Sequence, residues 1–282
     1  MNPADTVGGA VTALFVPGDR ADRFSKAAAA GPDIVIIDLE DAVAPDAKGA
    51  ALVATIEAVG NGFQAVVRMN SASTEYFQSE LEALVQLTAT PGSGLLGVMI
   101  PKAEDVETVE LVRGRIPAEL AVVPLIESAA GVVATARIVA CQGVTRLAFG
   151  AIDFVADIDA SGEDEFLAYA RSLIVVHSRA FRISPPLDTP IAEFSDEAVV
   201  ASAAKRARGY GFGGKLCIHP RQVAIITAAF QPDDRQITWA RAVISVGAGV
   251  GTVDGAMVDR PVVLQARSIL RRAGLGADIN QD

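Results

Sequence analysis

Eight times along the chain a short β-branched apolar run is followed by a loop and then by an Ala-rich amphipathic segment. That alternation marks repeated βα units feeding a parallel sheet. The runs fall at residues 13–16, 34–37, 65–68, 97–100, 122–126, 146–149, 183–187 and 215–218. Crossover helices are expected at 21–30, 47–59, 74–87, 106–112, 131–140, 165–181, 196–210 and 220–229, lengths that suit right-handed connections. Eight units are what a closed (β/α)₈ TIM barrel requires. The 282 residues fit one such domain with a short appendage. The seventh run is the weak one, because Pro185 and Pro186 lack the N–H groups a central strand donates.

Apolar residues make up 51% of the chain and aromatics only 5%, so the core must come from Ala, Val, Ile and Leu. Buried parallel strands under Ala-rich helices have that composition. The barrel is expected over residues 1–230. The remaining residues, 231–282, should form a helix ending near Val246, a Gly-rich joint (Gly247, Gly249, Gly251), a turn at Asp254-Gly255 and a helix over 261–272. A segment this short is not expected to build its own core. It is read as a helical lid packed on its own barrel or contributed to a neighbouring subunit's site.

The net charge of −10 and the absence of a long Lys/Arg run argue against nucleic-acid or anionic-membrane partners. Small molecules are the expected partners, and an anionic one would have to be met by local cations, helix N-termini or a metal. Cys141 and Cys217 are too few for a disulfide framework and lack metal-ligand spacing, which points to core positions in a reducing cytoplasm. The N-terminal residues carry no basic region followed by a long apolar stretch, and nowhere do about 18 apolar residues run uninterrupted. A soluble, unprocessed protein is expected.

In barrel enzymes the catalytic groups follow the carboxyl ends of the strands. The polar residues there are Arg20, then Asp38, Glu40 and Asp41, then Arg68 and Asn70, Lys102, Glu127, Asp153 and His219. Glu127 and Asp153 directly follow neighbouring apolar strands and can converge. Two hard oxygens with no His or Cys near them in sequence suit Mg²⁺, with Mn²⁺ as the alternative ion. The competing reading is a pair of solvated loop acids or helix caps. Arg68 could hold a substrate carboxylate or a developing enolate oxygen, or pair with Glu40 or Asp41. Asp38, Glu40 and Asp41 either stand behind the metal and orient Arg68 or cap the next helix. Phe15, Arg20 and Lys26 offer a ring and two cations to a nucleotide, against a solvated face as the plainer reading. His219-Pro220 reads better as a strand-to-helix turn than as a base, His177 as structural, Ser128 as a helix cap, and Lys102 as a poor Schiff-base candidate beside a metal site.

The segments LFVPGDRADRFSKA, VIIDLEDAVAPDAK, VVRMN, IPKAE, PLIESAAG, FGAIDF and CIHP occur in order over nearly the whole chain. Together they resemble the citrate lyase β-subunit-like branch of the HpcH/HpaI aldolase/citrate lyase family. The resemblance implies a Mg²⁺-dependent carbon–carbon lyase that cleaves a 3-hydroxyacyl-CoA thioester (citryl-, citramalyl- or malyl-CoA-like) to acetyl-CoA and an oxo acid. A malyl-CoA-type thioesterase and a citrate lyase β subunit acting on a carrier-bound citryl group are the alternatives. By the same resemblance Glu127 and Asp153 bind the metal, Arg68 is catalytic, and Phe15, Arg20 and Lys26 contact CoA. Asp259, within GAMVDRP, would serve as a proton donor in a neighbouring subunit, which implies a homotrimer or a dimer of trimers. Two departures stand out: Ile152 precedes Asp153 where many relatives carry an acid, and residues 157–165 are unusually acidic.

Overall fold

The structure, a computed structural model, describes residues 2–162, 164–247 and 251–275. Glu163 of the acidic stretch and Gly249 of the expected Gly-rich joint lie outside them. Eight parallel strands, β1 (Thr12–Pro17), β2 (Ile34–Asp38), β3 (Ala65–Arg68), β4 (Leu95–Ile100), β5 (Ala121–Ile126), β6 (Arg146–Phe149), β7 (Ser184–Asp188) and β8 (Gly214–Cys217), close into a barrel in chain order. The helices are α1 (Pro3–Gly9), α2 (Phe24–Ala29), α3 (Lys48–Gly60), α4 (Phe77–Thr88), α5 (Val106–Arg115), α6 (Ala129–Ala140), α7 (Ala151–Ile158), α8 (Asp164–Ala180), α9 (Glu197–Tyr210) and α10 (Arg221–Phe230). None of the described helices is long and apolar enough to cross a membrane. The TIM-barrel expectation is met, and the strand positions agree to within two residues.

Every residue of β2, β3, β4 and β5 is buried, as strands covered on both faces must be. Alternate residues point inward. Ala13, Ile36, Val66, Val123, Leu125, Ala148, Leu187 and Leu216 join the cluster that fills the barrel. The small average size of these side chains leaves room for polar groups at the two ends of the interior.

The first end is the floor. Asp33 accepts hydrogen bonds from Val11 N, Thr12 N and Thr12 Oγ1 at 2.9, 2.8 and 3.0 Å, tying the start of β1 to the start of β2. Arg146, the first residue of β6, is buried and has no carboxylate partner among the described residues. Its Nη1 donates to the carbonyls of Val7 and Ala10 at 2.8 and 2.7 Å, and its Nη2 to that of Pro185. Burial pushes its pKa down to about 9, against the pull of Asp33. Helix α1, which strand-period reasoning did not find, is held over the floor by those carbonyls. Asn2 caps it through a bond from Ala4 N at 3.1 Å.

The prolines do not break β7. It pairs around them: Ser184 N, ahead of the prolines, donates to Thr145 O at 3.0 Å, and Pro186 O accepts from Gly213 N at 2.9 Å. The register with β6 shifts between Arg146 and Ala148, which absorbs the missing N–H groups. The expectation of a weak seventh strand is thereby corrected.

The chain divides into two compact units, residues 1–227 and 228–282. The second contains α11 (Asp234–Val246), opened by a capping box between Asp233 and Gln236, a hairpin of β9 (Thr252–Val253) and β10 (Ala256–Met257), and α12 (Arg260–Arg272). Asp254 and Gly255 turn the hairpin with φ of 52° and 78°, the double positive-φ geometry that Asp-Gly favours. The expectation that this segment has no core is corrected too. Ala240, Val243, Val258, Val263, Ala266, Ile269 and Leu270 form a small buried cluster of their own.

Replacing Arg146 with Met would remove the guanidinium donor from three carbonyls, those of Val7, Ala10 and Pro185. The expected cost is about 3 kcal/mol, read as a lower urea midpoint with an unchanged slope.

Candidate active site

The sheet register builds the site. Asp38 ends β2 opposite Arg68, which ends β3, and both sit on the inward face one step beyond Ile36 and Val66. Arg68 therefore meets Asp38 in a fork, with Nε to Oδ1 at 2.7 Å and Nη2 to Oδ2 at 2.6 Å. Its Nη1 lies 2.9 Å from Glu40 Oε2, without hydrogen-bond alignment, and 3.7 Å from Asp41. The Phe15 ring lies under the guanidinium at 4.9 Å. Burial opposes the Arg68 charge, but the bond and charge of Asp38, with Glu40 and Glu127 behind it, raise its pKa above the ordinary value.

Asp38 and Glu40 are not helix caps. Asp38 also accepts from Glu40 N at 2.9 Å and Ala42 N at 3.1 Å, folding the loop that follows β2 over the strand end. Residues behind this loop lock it. Lys48 Nζ donates to the carbonyls of Leu39 and Glu40 at 2.8 and 2.9 Å. Asn70 Nδ2 bonds Leu39 O at 2.7 Å and Glu80 Oε1 at 2.5 Å, and Asn70 N bonds Glu80 Oε2 at 2.7 Å. Burial raises the Glu80 pKa despite these bonds.

Glu127 follows β5 and is buried. Burial first, and then the neighbouring Glu40, push its pKa up to about 8; Asp153 adds to the rise, while the Lys102 amide and Arg68 oppose it. The amide that meets it belongs to a residue in left-handed backbone conformation: Lys102, with φ of 46°, donates its N–H to Glu127 Oε1 at 2.7 Å. That conformation costs a non-glycine residue roughly 1–2 kcal/mol. Gly150, at the end of β6, faces the other side of the same carboxylate. A Cβ there would lie 2.7 Å from Glu127 Cβ and Oε2, so only glycine leaves this oxygen room.

Asp153 does not sit in a loop. It is the third residue of α7, a short helix that begins directly after Gly150. Its carboxylate has no hydrogen-bond or ion-pair partner among the described residues, yet its charge is felt at Glu127. Two near carboxylates, one of them desolvated and raised in pKa, call for a cation between them. Among the described residues no three His, Cys, Asp or Glu groups are placed to hold a metal. Glu127 and Asp153 could together offer two hard oxygens, with solvent and ligand completing the sphere, a donor chemistry that fits Mg²⁺.

Asp38, Asp41, Arg68, Glu127 and Asp153 line one cavity of about 440 Å³, together with Phe15, Gly150, Ile152 and Thr189. Phe15, Pro17 and Ile218 also line a second cleft of about 700 Å³ that holds Arg20, Arg23, Lys26, His219 and Arg221. Arg20 is half-exposed there and paired with Asp22 at 3.1 Å. His219 is a turn residue, as expected. Its Nδ1 accepts from Arg221 N at 3.2 Å and its ring stacks on Phe194 at 4.3 Å. Lys102 Nζ bonds Glu40 Oε1 at 2.6 Å; burial would lower its pKa, but Glu40 raises it, so the amine stays charged and is a poor nucleophile. Ser128 caps α6 through Gly131 N at 3.1 Å. Asp259 lies in the second unit, exposed, where its carboxylate caps α12 by accepting from Val262 N at 3.1 Å.

Sequence reasoning found Asp38, Glu40, Asp41, Arg68, Glu127 and Asp153 together. It missed the Lys102 amide, Gly150, Thr189, Arg23 and Arg221. Thr189 follows the doubted seventh strand, and the Lys102 role depends on a backbone angle no residue pattern reveals.

A closed parallel barrel whose C-terminal rim gathers two near carboxylates and a forked arginine is the architecture of a barrel enzyme. The family model for HpcH/HpaI aldolase/citrate lyase matches residues 12–220, and the chain belongs to that family. It is 35% identical over 273 residues to a citrate lyase subunit beta-like protein of Mycobacterium tuberculosis, covering 93% of this chain and 94% of that protein. It is 30% identical over 293 residues to the mitochondrial citramalyl-CoA lyase of Homo sapiens, covering 92% and 84% of the two chains. The crystal structure of protein CitE from Mycobacterium tuberculosis in complex with magnesium, acetoacetate and coenzyme A superposes with a TM-score of 0.84 at 34% identity, over 95% of this chain and 99% of that one.

Asp38→Ala would take the forked partner from the buried Arg68 charge and leave it the unaligned Glu40 and the more distant Asp41. The expected loss is about 3 kcal/mol of stability, whereas Asp41→Ala, at a half-exposed side chain, should cost under about 0.5 kcal/mol in the same denaturation series.

Proposed function

We propose that the chain is a Mg²⁺-dependent carbon–carbon lyase that cleaves a 3-hydroxyacyl-CoA thioester to acetyl-CoA and an oxo acid, acting in the cytoplasm. The observation that carries this reading is one cavity lined by Glu127, Asp153 and Arg68, with the charge of Asp153 felt at Glu127. Bound by these two residues, Mg²⁺ supplies Lewis acidity toward the substrate's distal carboxylate and hydroxyl. The mitochondrial citramalyl-CoA lyase and the magnesium- and CoA-bound CitE structure support the choice of reaction class.

The cleavage is a retro-Claisen step. The hydroxyl gives its proton to solvent, its oxygen becomes the oxo acid's carbonyl as the carbon–carbon bond breaks, and the electron pair of that bond passes to the acetyl thioester as an enolate. Arg68 stabilises the developing enolate oxygen, with Asp38 and Glu40 fixing the guanidinium so that no reorganisation is needed as charge appears. Phe15, Arg20 and Lys26 in the adjoining cleft receive the CoA moiety, whose phosphates suit exposed cations and whose base suits the ring. Asp259 of a second copy of the chain protonates the enolate carbon, which makes a homotrimer the functional form. Its exposed carboxylate is held by a single amide and is available for transfer.

Glu127→Gln and Asp153→Asn are each expected to lower Mg²⁺-dependent turnover by on the order of 10³-fold and to weaken Mg²⁺ binding in calorimetry. An Asp153→Asn enzyme that keeps wild-type rates in EDTA would refute the metal assignment. Product masses separate the lyase, which yields acetyl-CoA and an oxo acid, from a thioesterase, which yields free CoA and a hydroxy acid.

A further inference from the structure

Asp153 presents a carboxylate with no hydrogen-bond or ion-pair partner among the described residues, so its direction is inherited from the backbone of α7. The start of that helix is where Glu127 makes its demand. Gly150 occupies the N-cap and has no side chain to accept from the first amides. A capping residue cannot replace it, because a Cβ there would lie 2.7 Å from Glu127 Cβ and Oε2. The room that Glu127 needs therefore removes the cap that α7 needs.

The cap arrives from another strand. Thr189, directly after β7, accepts through Oγ1 from Ala151 N, the first amide of α7, at 3.0 Å. Its own backbone is anchored by buried charge. Lys215 Nζ donates to Thr189 O at 2.5 Å and to Asp188 Oδ2 at 3.2 Å, and Arg171 Nε donates to Asp188 Oδ1 at 3.1 Å. Asp188 and Lys215 are partners in the register of β7 and β8, and all three charged side chains are buried.

The last turn of α7 is held as well. Asp157 Oδ2 accepts from Ala129 N, the first amide of α6, at 2.7 Å. Ala129 stands two residues after Glu127, so this bond ties the helix that carries one carboxylate to the segment that carries the other.

We infer that Thr189 is a positioning residue for Asp153, that Asp157 holds the far end of the same helix, and that together they set the affinity of the Glu127 and Asp153 pair for a divalent cation. Both roles presuppose the metal site proposed above. Groups that orient a metal ligand commonly govern affinity by about 10–100-fold without being ligands themselves.

The test uses the full-length chain, with Mg²⁺ titrated in calorimetry and the metal-free proteins unfolded in urea. Thr189→Val, which keeps the shape and loses the acceptor, should weaken Mg²⁺ binding by about tenfold or more, and Thr189→Ser, which keeps the hydroxyl, should stay within about twofold of wild type. Asp157→Ala and Asp157→Asn lose the same charge, but Asn keeps an acceptor oxygen for Ala129 N, so the Asn variant should bind Mg²⁺ several-fold more tightly than the Ala variant. A Thr189→Val protein with a lower urea midpoint and wild-type Mg²⁺ affinity would make the threonine purely structural and overturn the positioning role. Equal losses in Thr189→Val and Thr189→Ser, or in the two Asp157 variants, would do the same. If Thr189→Val does not fold, the Asp157 pair, at an exposed position, decides. An Asp153→Asn protein that binds Mg²⁺ as tightly as wild type would sink the metal site and the positioning role with it; the positioning role alone fails where Asp153→Asn weakens Mg²⁺ and Thr189→Val does not.

Discussion

The fork between Asp38 and Arg68 is the interaction on which the rim depends, and the barrel itself sets it. Two strands that pair in register and end on the same inward face bring a carboxylate and a guanidinium to 2.6–2.7 Å. Shifting that register by one residue would turn both side chains to the helix layer. The pair is costly to desolvate, which is why neither group stands alone. Asp38 takes two further amides, and Glu40 sits on the free edge of the guanidinium. The positive charge at the rim is therefore fixed in place and surrounded by negative charge.

That surplus of negative charge extends to Glu127. Its carboxyl is buried beside Glu40 and Asp153, and the fold meets it with a strained Lys102 amide and with a glycine where any side chain would collide. Such arrangements are unfavourable for the isolated protein and persist only where the surrounding structure enforces them. The floor shows the opposite solution. There Arg146 has no carboxylate partner among the described residues; carbonyls meet its two terminal nitrogens, and it closes the barrel under α1. Both ends of the interior hold charge, and at the rim, among the described residues, Glu40 Oε2 is buried without a hydrogen-bond partner.

Much of this was legible in residue order because a parallel barrel writes itself twice, as apolar runs for the strands and as polar residues at their ends. Arg68, Glu127 and the acids after β2 could be found by asking what closes each run. Asp153 could be found but not correctly seated, since α7 starts without a capping side chain at Gly150 and looks like loop. The seventh strand was obscured by Pro185 and Pro186, and it pairs around them through Ser184 N and Pro186 O. Helix α1 is too short to show a period, and its reason for existing is a contact with Arg146, 136 residues away from Ala10. The small core of the second unit was missed because seven apolar residues spaced along two helices and a hairpin read as surface when length alone is considered.

The loops at the rim are held as firmly as the strands. Lys48 and Asn70 bind the carbonyls of Leu39 and Glu40 from behind, and Glu80 holds Asn70 by both its amide and its backbone N–H. None of these three residues lines the cavity. Their effect is to fix the backbone that presents Asp38 and Glu40, so that the orientation of Arg68 is decided before any ligand arrives. A site prepared in this way does not need to reorganise its dipoles when charge shifts on a bound molecule, which is the condition under which a single arginine is most effective at stabilising a developing anion.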